Sequence, residues 1–521
     1  MHKAIPIDTV RASRAGHNFH EYWAARRALQ LIFPRDGLYA MAVEGISTSD
    51  SATPGKQAED IADLTLYFGH GDTFASSDRV ETAQFKYKVG AGPETASYLK
   101  KTLGKFANSI LGYEKTLSPD EVNKKLSFAF VTNARFSEPL WQAIRGLKDA
   151  VPPSGKAARA QFDNLSKWAR QEGVDPYRLF AMTEFRAAEK NLSVQKSQLR
   201  GTLTDWSAGA DSQARVRLHA LVELVVEKAG LSGQRNNLLK REDVLDALGC
   251  DPDELFPADA RFIDVGSVVQ RSVVGDVVAL IRASPLPVFI HADGGIGKTV
   301  FIQSVASHMA TTDEVIVFDC FGGGTYRSDH HPRHLPRIGL VQIVNELAAR
   351  GLCDPLLPGD NDTRGLIKST RKRFEQTAAT LREQSERQGL LVIIDAADNA
   401  QLEADKRKED SFPKLLLSSL SEAPIQAVRL VLTARPHRMD NVVGQTAVTP
   451  YGLGPFSDAE ARSFVKARLP NVAPSEVDRA LSRSRRNARV LAYLVETWDR
   501  NVAGNTSEAE ITVQTLIAAR T

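Results

Sequence analysis

The sequence predicts an α/β protein with an α/β domain near the N-terminus, a parallel sheet in the second half and a helical end. Three observations lead to this prediction. The chain has 521 residues, which is too long for a single hydrophobic core. Its first quarter shows the order helix, three strands, helix, strand. In the second half, a glycine-rich strand-to-helix turn precedes further apolar strands that end in polar residues.

Composition excludes several classes of protein. The chain is 42% hydrophobic and 25% charged with a net charge of +3, so no overall basicity indicates nucleic-acid binding, and such a surface would have to be local. The three cysteines, Cys250, Cys320 and Cys353, have neither disulfide-framework nor zinc spacing. The N-terminus has no signal-peptide core, and the longest apolar runs are strand-sized. We therefore expect reduced thiols, a cytoplasmic location and no membrane contact.

The N-terminal elements follow from apolar periodicity and from turn-forming clusters. Residues 1–15 are predicted to form an extended arm, and residues 16–32 a helix that ends before Pro34. The elements that follow are the strands Leu38–Val43, Ile61–Phe68 and Arg79–Val89, the helix Thr95–Thr116 and the strand Leu126–Thr132.

Polar side chains on these strands indicate a chemical site. Gln84 and Lys86 lie two apart on one strand, so they share a face at a spacing of roughly 6.5 Å. Asp63 on the neighbouring strand could converge on them, with Glu44 at the end of the first strand. Carboxylate and amide oxygens suit Mg²⁺, for which Asp63 and Gln84 are the predicted ligands. A lysine beside the metal can activate water or stabilise phosphorane charge, so these four residues are predicted to hydrolyse a phosphodiester.

Three runs carry a resemblance: Glu59–Leu66, Val80–Tyr87 and Phe130–Asn133. Together they resemble the PD-(D/E)xK restriction-endonuclease superfamily, and within it the double-stranded-DNA endonuclease effector domains of bacterial antiphage systems. The resemblance implies a restriction-endonuclease-like α/β domain. It also implies catalytic roles for Asp63, Gln84 and Lys86.

The chain departs from the family pattern at one position. Gln84 stands where many of these nucleases carry Glu or Asp. The source of a second metal carboxylate is therefore open among Glu44, Asp60 and Glu81. Glu81 lies three positions before Gln84, so it should face the other side of the strand.

Residues 137–245 are predicted to be mostly helical. The segments are Lys156–Glu172, Phe180–Asn191 and Ala214–Ala229. Two interpretations remain open, a helical lobe that closes over a DNA cleft and a plain helical spacer. Residues 1–245 thus form the predicted effector domain, and the Pro- and acid-rich residues 246–262 the linker.

The second half begins with a phosphate-binding pattern. The apolar run Val288–Ile290 predicts a buried strand, and a glycine-rich loop and a helix follow it. Backbone N–H groups of such a loop surround phosphate oxygens. Ala292 stands where the pattern usually has Gly, and a ligand-free turn is the alternative interpretation. The predicted nucleotide-binding residues of this segment are Asp293, Gly294, Gly295, Ile296, Gly297, Lys298, Thr299 and Val300.

The roles in this segment follow from phosphoryl-transfer chemistry. Lys298 would reach the β- and γ-phosphates, and the Thr299 hydroxyl would ligate Mg²⁺. Asp395 ends the apolar strand that starts at Leu390, and it is predicted to hold the Mg²⁺ water shell opposite Thr299. Asp398 could orient the attacking water, and Arg435 could sense the γ-phosphate.

These motifs, in this order over residues 265–500, resemble the NACHT-like STAND NTPases. The run Phe318–Arg327 looks like the bacterial antiviral STAND (AVAST) group. The resemblance implies a P-loop (NACHT/STAND) NTPase at residues 263–450 and a helical end at 451–521. Within that end, Ser482–Trp498 is predicted to form one helix. It also implies a homo-oligomer, a tetramer in that group, and a phage protein as the trigger. The sequence has no 34-residue helical repeat, so we expect a further C-terminal region or a partner chain to sense the trigger.

Together these features predict an antiphage switch that uses ATP and Mg²⁺. Nucleotide binding would favour oligomers, and clustering would activate cleavage of double-stranded DNA. Two alternatives remain open. The N-terminal domain could be a non-catalytic DNA- or protein-binding module, or the chain could be an ATP-driven restriction motor with fast, DNA-stimulated turnover.

Overall fold

The structure of the chain is a computed structural model that describes residues 6–50, 62–89, 92–262, 268–330, 332–359, 362–384 and 387–501. It divides into two compact units, Met1–Pro252 and Asp253–Thr521. The division falls inside the segment predicted as the linker. Within the described residues, no helix combines the length and the apolar character needed to cross a lipid bilayer.

The N-terminal unit is built on one six-stranded sheet. Its strands are β1 Leu38–Val43, β2 Leu64–Gly69, β3 Ser77–Lys86, β4 Leu126–Thr132, β5 Thr183–Arg186 and β6 Leu238–Leu239. Its helices are α1 Pro6–Ala28, α2 Ala96–Tyr113, α3 Pro119–Lys125, α4 Glu138–Lys148, α5 Lys156–Gln171, α6 Pro176–Ala181, α7 Leu192–Trp206, α8 Asp211–Ala229 and α9 Arg241–Ala247. The strand order is β5-β4-β3-β2-β1-β6.

The sheet is mixed, with parallel pairs at its β5 side and antiparallel pairs at its β6 side. Strand β2 is antiparallel to both β1 and β3, whereas β4 and β5 run parallel to β3. Parallel neighbours need a crossover connection, and α2 supplies it between β3 and β4. Leu99, Leu103 and Phe106 recur on one face of α2 and are fully buried, and Phe106 stacks on Phe128 with ring centroids 4.5 Å apart. The predicted order of helix, three strands, helix and strand is confirmed here.

Two predictions for the N-terminal unit are wrong. The arm at residues 1–15 is helical from Pro6 onward, because α1 continues from there to Ala28, while residues 1–5 lie outside the described part of the chain. The helix predicted at Phe180–Asn191 is replaced by strand β5, which pairs with β4. Thr183 and Phe185 of β5 are buried, as a strand with one covered face requires.

Residues 137–245 form neither a separate lobe nor a spacer. Leu140, Phe162 and Leu165 belong to the same hydrophobic core as Phe128 and Phe130 of the sheet. Strand β6 lies within the same segment and pairs with β1 at the far edge. The segment therefore completes the N-terminal unit at both edges of its sheet.

The C-terminal unit is a five-stranded parallel sheet with helices. Its strands are β7 Val288–His291, β8 Glu314–Asp319, β9 Leu390–Asp395, β10 Val428–Ala434 and β11 Thr449–Gly452. Its helices are α10 Pro252–Leu255, which starts at the division, α11 Val274–Ala283, α12 Lys298–Met309, α13 Pro336–Ala349, α14 Thr363–Gln384, α15 Ala397–Arg407, α16 Phe412–Glu422, α17 Met439–Val443, α18 Asp458–Arg468, α19 Pro474–Ser484 and α20 Ala488–Asn501. The order β11-β7-β10-β9-β8 places β10 between β7 and β9.

Two boundaries in the C-terminal unit differ from those predicted. Strand β11 crosses residue 450, the predicted end of the sheet domain, and pairs with β7. The single helix predicted at 482–498 is two helices, α19 and α20. Arg485 and Arg486 break it with φ angles of 49° and 58°, in the left-handed region that cannot continue an α-helix. Asn487 therefore lies at the start of a new helix.

Close packing of α13 on α16 gives a test of this fold. A Cβ atom on Gly339 would lie 2.3 Å from the Phe412 ring, which is itself fully buried. Gly339→Ala should therefore destabilise the C-terminal unit by about 1–3 kcal/mol, measured by calorimetric unfolding. Gly275→Ala is the matched control, because a Cβ there meets no atom within 4 Å in helix α11. It should leave the stability unchanged or raise it by roughly 0.5 kcal/mol, and an equal loss in both variants would contradict the packing.

Candidate functional sites

The phosphate loop of the C-terminal unit lies between β7 and α12. Gly295 and Gly297 have φ angles of 81° and 95°, which side chains with a Cβ rarely adopt. Lys298 begins α12, and its Nζ donates to the backbone oxygens of Ala292 at 2.5 Å and Asp293 at 3.2 Å. Burial lowers the pKa of Lys298, and nearby acidic groups oppose that shift. The ammonium therefore lies within the curve of the loop, where phosphate oxygens would compete with the two carbonyl groups.

Thr299 and Asp395 are brought into direct contact. The Thr299 hydroxyl donates to Asp395 Oδ2 at 2.7 Å, and the Thr433 hydroxyl donates to Oδ1 at 2.5 Å. Burial raises the pKa of Asp395, and the two hydroxyl donors oppose this rise. A hydroxyl and a carboxylate at this spacing are the hard oxygen ligands that Mg²⁺ takes beside a nucleotide. Thr433 reaches Asp395 because β10 lies beside β9 in the sheet.

Asp398 lies one turn beyond this contact, in the first turn of α15. Its Oδ2 is 3.8 Å from Arg435 Nη1 and 3.6 Å from Arg438 Nη1. Sequence analysis singled out Asp398 and Arg435 but missed Arg438. The signal for Arg438 was weak, because it follows the strand in a short 3-10 helix, Pro436–Arg438, with no periodicity to interpret.

Two further contacts on the phosphate loop were not predicted. Asn487 Nδ2 donates to the Gly294 oxygen at 3.0 Å, and the Arg489 backbone N–H donates to the Gly295 oxygen at 2.9 Å. Both donors lie where the predicted helix is broken, so an uninterrupted helical pattern concealed them. These bonds connect the last helices of the unit with the loop that would hold the phosphates.

The N-terminal unit gathers Glu44, Asp63 and Gln84 at one end of its sheet. The Glu44 backbone N–H donates to the Asp63 oxygen at 2.9 Å, and the Asp63 N–H donates to the Ala83 oxygen at 3.1 Å. Asp63 Oδ2 accepts from the Phe85 N–H at 2.6 Å. The carboxylate is therefore anchored to strand β3, beside Gln84.

Gln84 and Lys86 share the face of β3 that carries α2. Lys105 Nζ on α2 donates to Gln84 Oε1 at 3.0 Å, and Lys86 Nζ donates to the Tyr98 oxygen at 2.7 Å. Phe85 points the other way, with its ring centroid 5.0 Å from that of Trp23 on α1. Burial lowers the pKa of Lys86, and the charge of Lys101 lowers it further. The predicted common face of Gln84 and Lys86 is thus confirmed.

The candidates for a second metal-binding carboxylate differ in whether they lie beside Asp63. Glu81 pairs with Arg186 at 3.1 Å on the face of β3 opposite Gln84, as its spacing predicted. Asp60 lies outside the described residues. Glu21 on α1 was not among the predicted site residues. Its charge raises the pKa of Glu44, so it lies within electrostatic reach of the cluster. Glu44 therefore remains the described candidate beside Asp63.

The oxygen atoms of this cluster suit a hydrated metal ion. In the described part of the chain, no three or more His, Cys, Asp and Glu side chains come together as a metal-binding group. Two carboxylates and one amide oxygen fit Mg²⁺, which keeps several of its waters, better than they fit a metal that demands a complete protein cage. Asp63, Gln84 and Glu44 would hold such an ion through oxygen atoms.

The acidic cluster makes stability depend on pH. Glu44 is an exposed residue, but desolvation of its carboxyl beside the charges of Asp63 and Glu21 raises its pKa to about 7. This carboxyl stabilises the fold below its ordinary pKa, and that contribution is lost as the pH rises through 7. Glu44→Gln should therefore stabilise the N-terminal unit at pH 8 and have little effect at pH 4.5.

Denaturant unfolding followed by tryptophan fluorescence would measure this difference. Four of the five tryptophans, Trp23, Trp141, Trp168 and Trp206, lie in the N-terminal unit. Glu138→Gln is the control, because Glu138 forms an exposed ion pair with Arg145 and should show no comparable dependence on pH. Equal effects of Glu44→Gln at both pH values would contradict the assignment.

Comparison with known proteins gives a partial match. Residues 282–435 match the family model of the nephrocystin 3 N-terminal region, and this segment spans the phosphate loop, Asp395, Asp398 and Arg435. No curated protein matches the chain significantly. The C-terminal unit is thus a phosphate-loop, NTPase-like α/β unit by its own motifs and by this family match.

Two solved structures are similar in part. One is a signal transduction ATPase with numerous domains (STAND) that has a tetratricopeptide repeat sensor, from Pyrococcus horikoshii. It is 17% identical with a TM-score of 0.28, and the match covers 46% of this chain and 30% of that one. The other is the ORC2 protein of Aeropyrum pernix in ADPNP–ADP complexes, which is 15% identical with a TM-score of 0.29, over 52% of this chain and 72% of that one. The chain thus matches less than a third of the length of the first.

Proposed function

We propose that this chain is a STAND-type ATP switch that controls a Mg²⁺-dependent endonuclease acting on double-stranded DNA in antiphage defence. One observation carries the nuclease part of the proposal. Asp63, Gln84 and Lys86 lie at one end of a mixed sheet, with Gln84 and Lys86 on the face covered by α2. This arrangement supports hydrolysis of a phosphodiester by a water molecule.

Each nuclease residue has a part in the reaction. Asp63, Gln84 and Glu44 would hold Mg²⁺, which supplies an activated water and neutralises phosphate charge. Lys86 lies on the same face of β3 as Gln84. Its ammonium can donate to the phosphate oxygens as negative charge develops on the pentavalent phosphorus. Tyr98 holds this ammonium through its backbone oxygen and its ring, with Nζ 4.3 Å from the ring centroid.

The switch part of the proposal rests on the C-terminal unit. Lys298 lies in the phosphate loop and Thr299 contacts Asp395, which supports binding of ATP with Mg²⁺. Asn487 and Arg489 connect the loop to the last helices, so the loop and those helices can respond together when phosphates arrive. ATP-dependent homo-oligomers, tetramers by the resemblance, would then concentrate the nuclease sites. A phage protein would act as the trigger.

Plasmid cleavage by the full chain tests the proposal. We expect nicking and linearisation with Mg²⁺ and ATP together, weaker cutting without ATP, and none in EDTA. A non-hydrolysable ATP analogue should support cutting if binding alone drives assembly. DNA binding without cutting under all conditions would favour a non-catalytic module. Fast ATP turnover stimulated by DNA would favour a motor.

A further inference from the structure

We propose that Arg438 is a positioning residue for nucleotide hydrolysis, which holds the Asp398 carboxylate while Arg435 serves the terminal phosphate. The inference rests on the ATP-binding part of the proposed function and is independent of the nuclease part. It assigns different tasks to two arginines that lie three residues apart.

The first observation concerns two buried atoms. The Asp398 side chain is 2% exposed, and its Oδ2 lies 3.6 Å from Arg438 Nη1. Among the residues that the structure describes, neither atom has a hydrogen-bond partner. Buried polar atoms of opposite charge are rarely left without hydrogen bonds, because nothing then compensates the loss of their hydration. Because 3.6 Å is just beyond hydrogen-bond length, a small rotation or one bridging water would connect them.

The second observation concerns the exposures of the two arginines. The Arg435 side chain is 36% exposed, whereas that of Arg438 is 27% exposed and has its Nη1 buried. Arg435 directly follows β10, at the same edge of the sheet as the phosphate loop. Both Arg435 and Asp398 also act electrostatically on Lys298, which places them within reach of the phosphate position.

The third observation concerns the backbone between them. Pro436 opens the 3-10 helix Pro436–Arg438, and the Arg438 N–H donates to the Arg435 oxygen at 3.1 Å. This turn leaves both guanidinium groups near the same oxygen, Oδ2 of Asp398. Phosphate accepts bidentate hydrogen bonds from arginine and carries more charge than a carboxylate. Arg435 can therefore hydrogen-bond to a γ-phosphate when nucleotide binds. The negative charge of Asp398 is still balanced, because Arg438 remains beside it.

This arrangement keeps the Asp398 carboxylate oriented at the moment of reaction. In hydrolysis the water oxygen bonds to the γ-phosphorus, and the bond from that phosphorus to the β–γ bridging oxygen breaks. The proton of the attacking water passes to the Asp398 carboxylate and then to the released phosphate. A carboxylate free to rotate would meet the water less often, so the loss of Arg438 would slow turnover without weakening nucleotide binding.

Steady-state ATP hydrolysis and equilibrium binding of a fluorescent ATP analogue by the full chain test this inference. Arg438→Gln should lower kcat about tenfold with the nucleotide Kd within about twofold of wild type. Arg438→Lys should recover most of the lost rate, because it keeps the charge. Arg435→Gln should weaken nucleotide binding as well. Asp398→Asn combined with Arg438→Gln should be no slower than Asp398→Asn alone, because Arg438 acts through Asp398.

Several outcomes would overturn the inference. They are an equal loss of affinity and turnover in Arg438→Gln, no recovery in Arg438→Lys, or wild-type turnover in Asp398→Asn. A wild-type chain that binds ATP without hydrolysing it would also overturn the inference, yet the proposed switch would stand. Failure of the analogue to bind wild type would instead refute the proposed ATP site. Thermal unfolding of each variant separates a loss of fold from a loss of positioning.

Discussion

Replacing Lys86 with alanine is expected to lower Mg²⁺-dependent DNA cleavage at least about 100-fold while DNA binding persists. Lys86 is held against Tyr98 by a hydrogen bond and by the ring, on the same face of β3 as Gln84. Its ammonium is the cation best placed to stabilise charge on the attacked phosphorus. Because Lys86 is not among the proposed metal ligands, Mg²⁺ binding should change little.

Lys125→Ala is a matched control for that experiment. Lys125 is also half-buried, and its Nζ donates to the backbone oxygens of Phe74 and Ala75 beside the Phe74 ring. It precedes β4, whose register pairs Leu126 with Val80, so it lies at the opposite end of β3 from Lys86. A supercoiled plasmid assay in Mg²⁺ should show wild-type cutting by this variant. Equal losses of cutting in both variants would show that the effect comes from folding. Cutting by Lys86→Ala at the wild-type rate would show that Lys86 has no catalytic role.

Replacing Gly295 with alanine is expected to weaken ATP binding about 5- to 30-fold. Alanine at a φ of 81° costs roughly 1–2 kcal/mol, which corresponds to a loss of this order. Its Cβ would also lie 2.7 Å from Asn487 Oδ1 and 3.0 Å from Arg489 Cβ. The loop could relieve the clash only by moving away from the last helices or by losing the shape that cradles phosphate. Titration of a fluorescent ATP analogue measures the change.

The neighbouring glycine is the control for this substitution. A Cβ on Gly294 meets no atom within 4 Å, and its backbone lies outside the left-handed region. Gly294→Ala should therefore bind nucleotide nearly as wild type does. If both variants lose affinity equally, the loss is caused by close approach of the nucleotide to the loop and not by the contact with the last helices. Recovery of binding when Asn487→Ala is added to Gly295→Ala would show that the helix contact is the obstacle.

Much of the fold could be predicted from local sequence. The apolar runs that became β1, β4 and β9 were bounded correctly to the residue, because buried strands in a sheet need continuous or alternating apolar side chains. The phosphate loop was recognisable because its backbone shape requires glycine at certain positions. The common face of Gln84 and Lys86 followed from the two-residue repeat of a strand.

Other features depended on partners distant in the chain. Strand β5 lay inside a predicted helix, because its four residues become a strand only through pairing with β4. Strand β6 has only two residues and is defined by its pairing with β1. No local pattern could indicate either element, since each is stabilised by hydrogen bonds to a strand more than fifty residues away.

Residue chemistry and local backbone preference determined which groups could bind phosphate or hold Mg²⁺ in this protein. Lys298, Thr299 and Asp395 were predictable because such binding requires those residue types in a set order. Tertiary structure alone decided which groups hold them in place. Asn487 contacts the phosphate loop only because two arginines break the helix, and Arg438 meets Asp398 only because β10 lies beside β9. These contacts join residues far apart in sequence, and local periodicity carries no information about such distances.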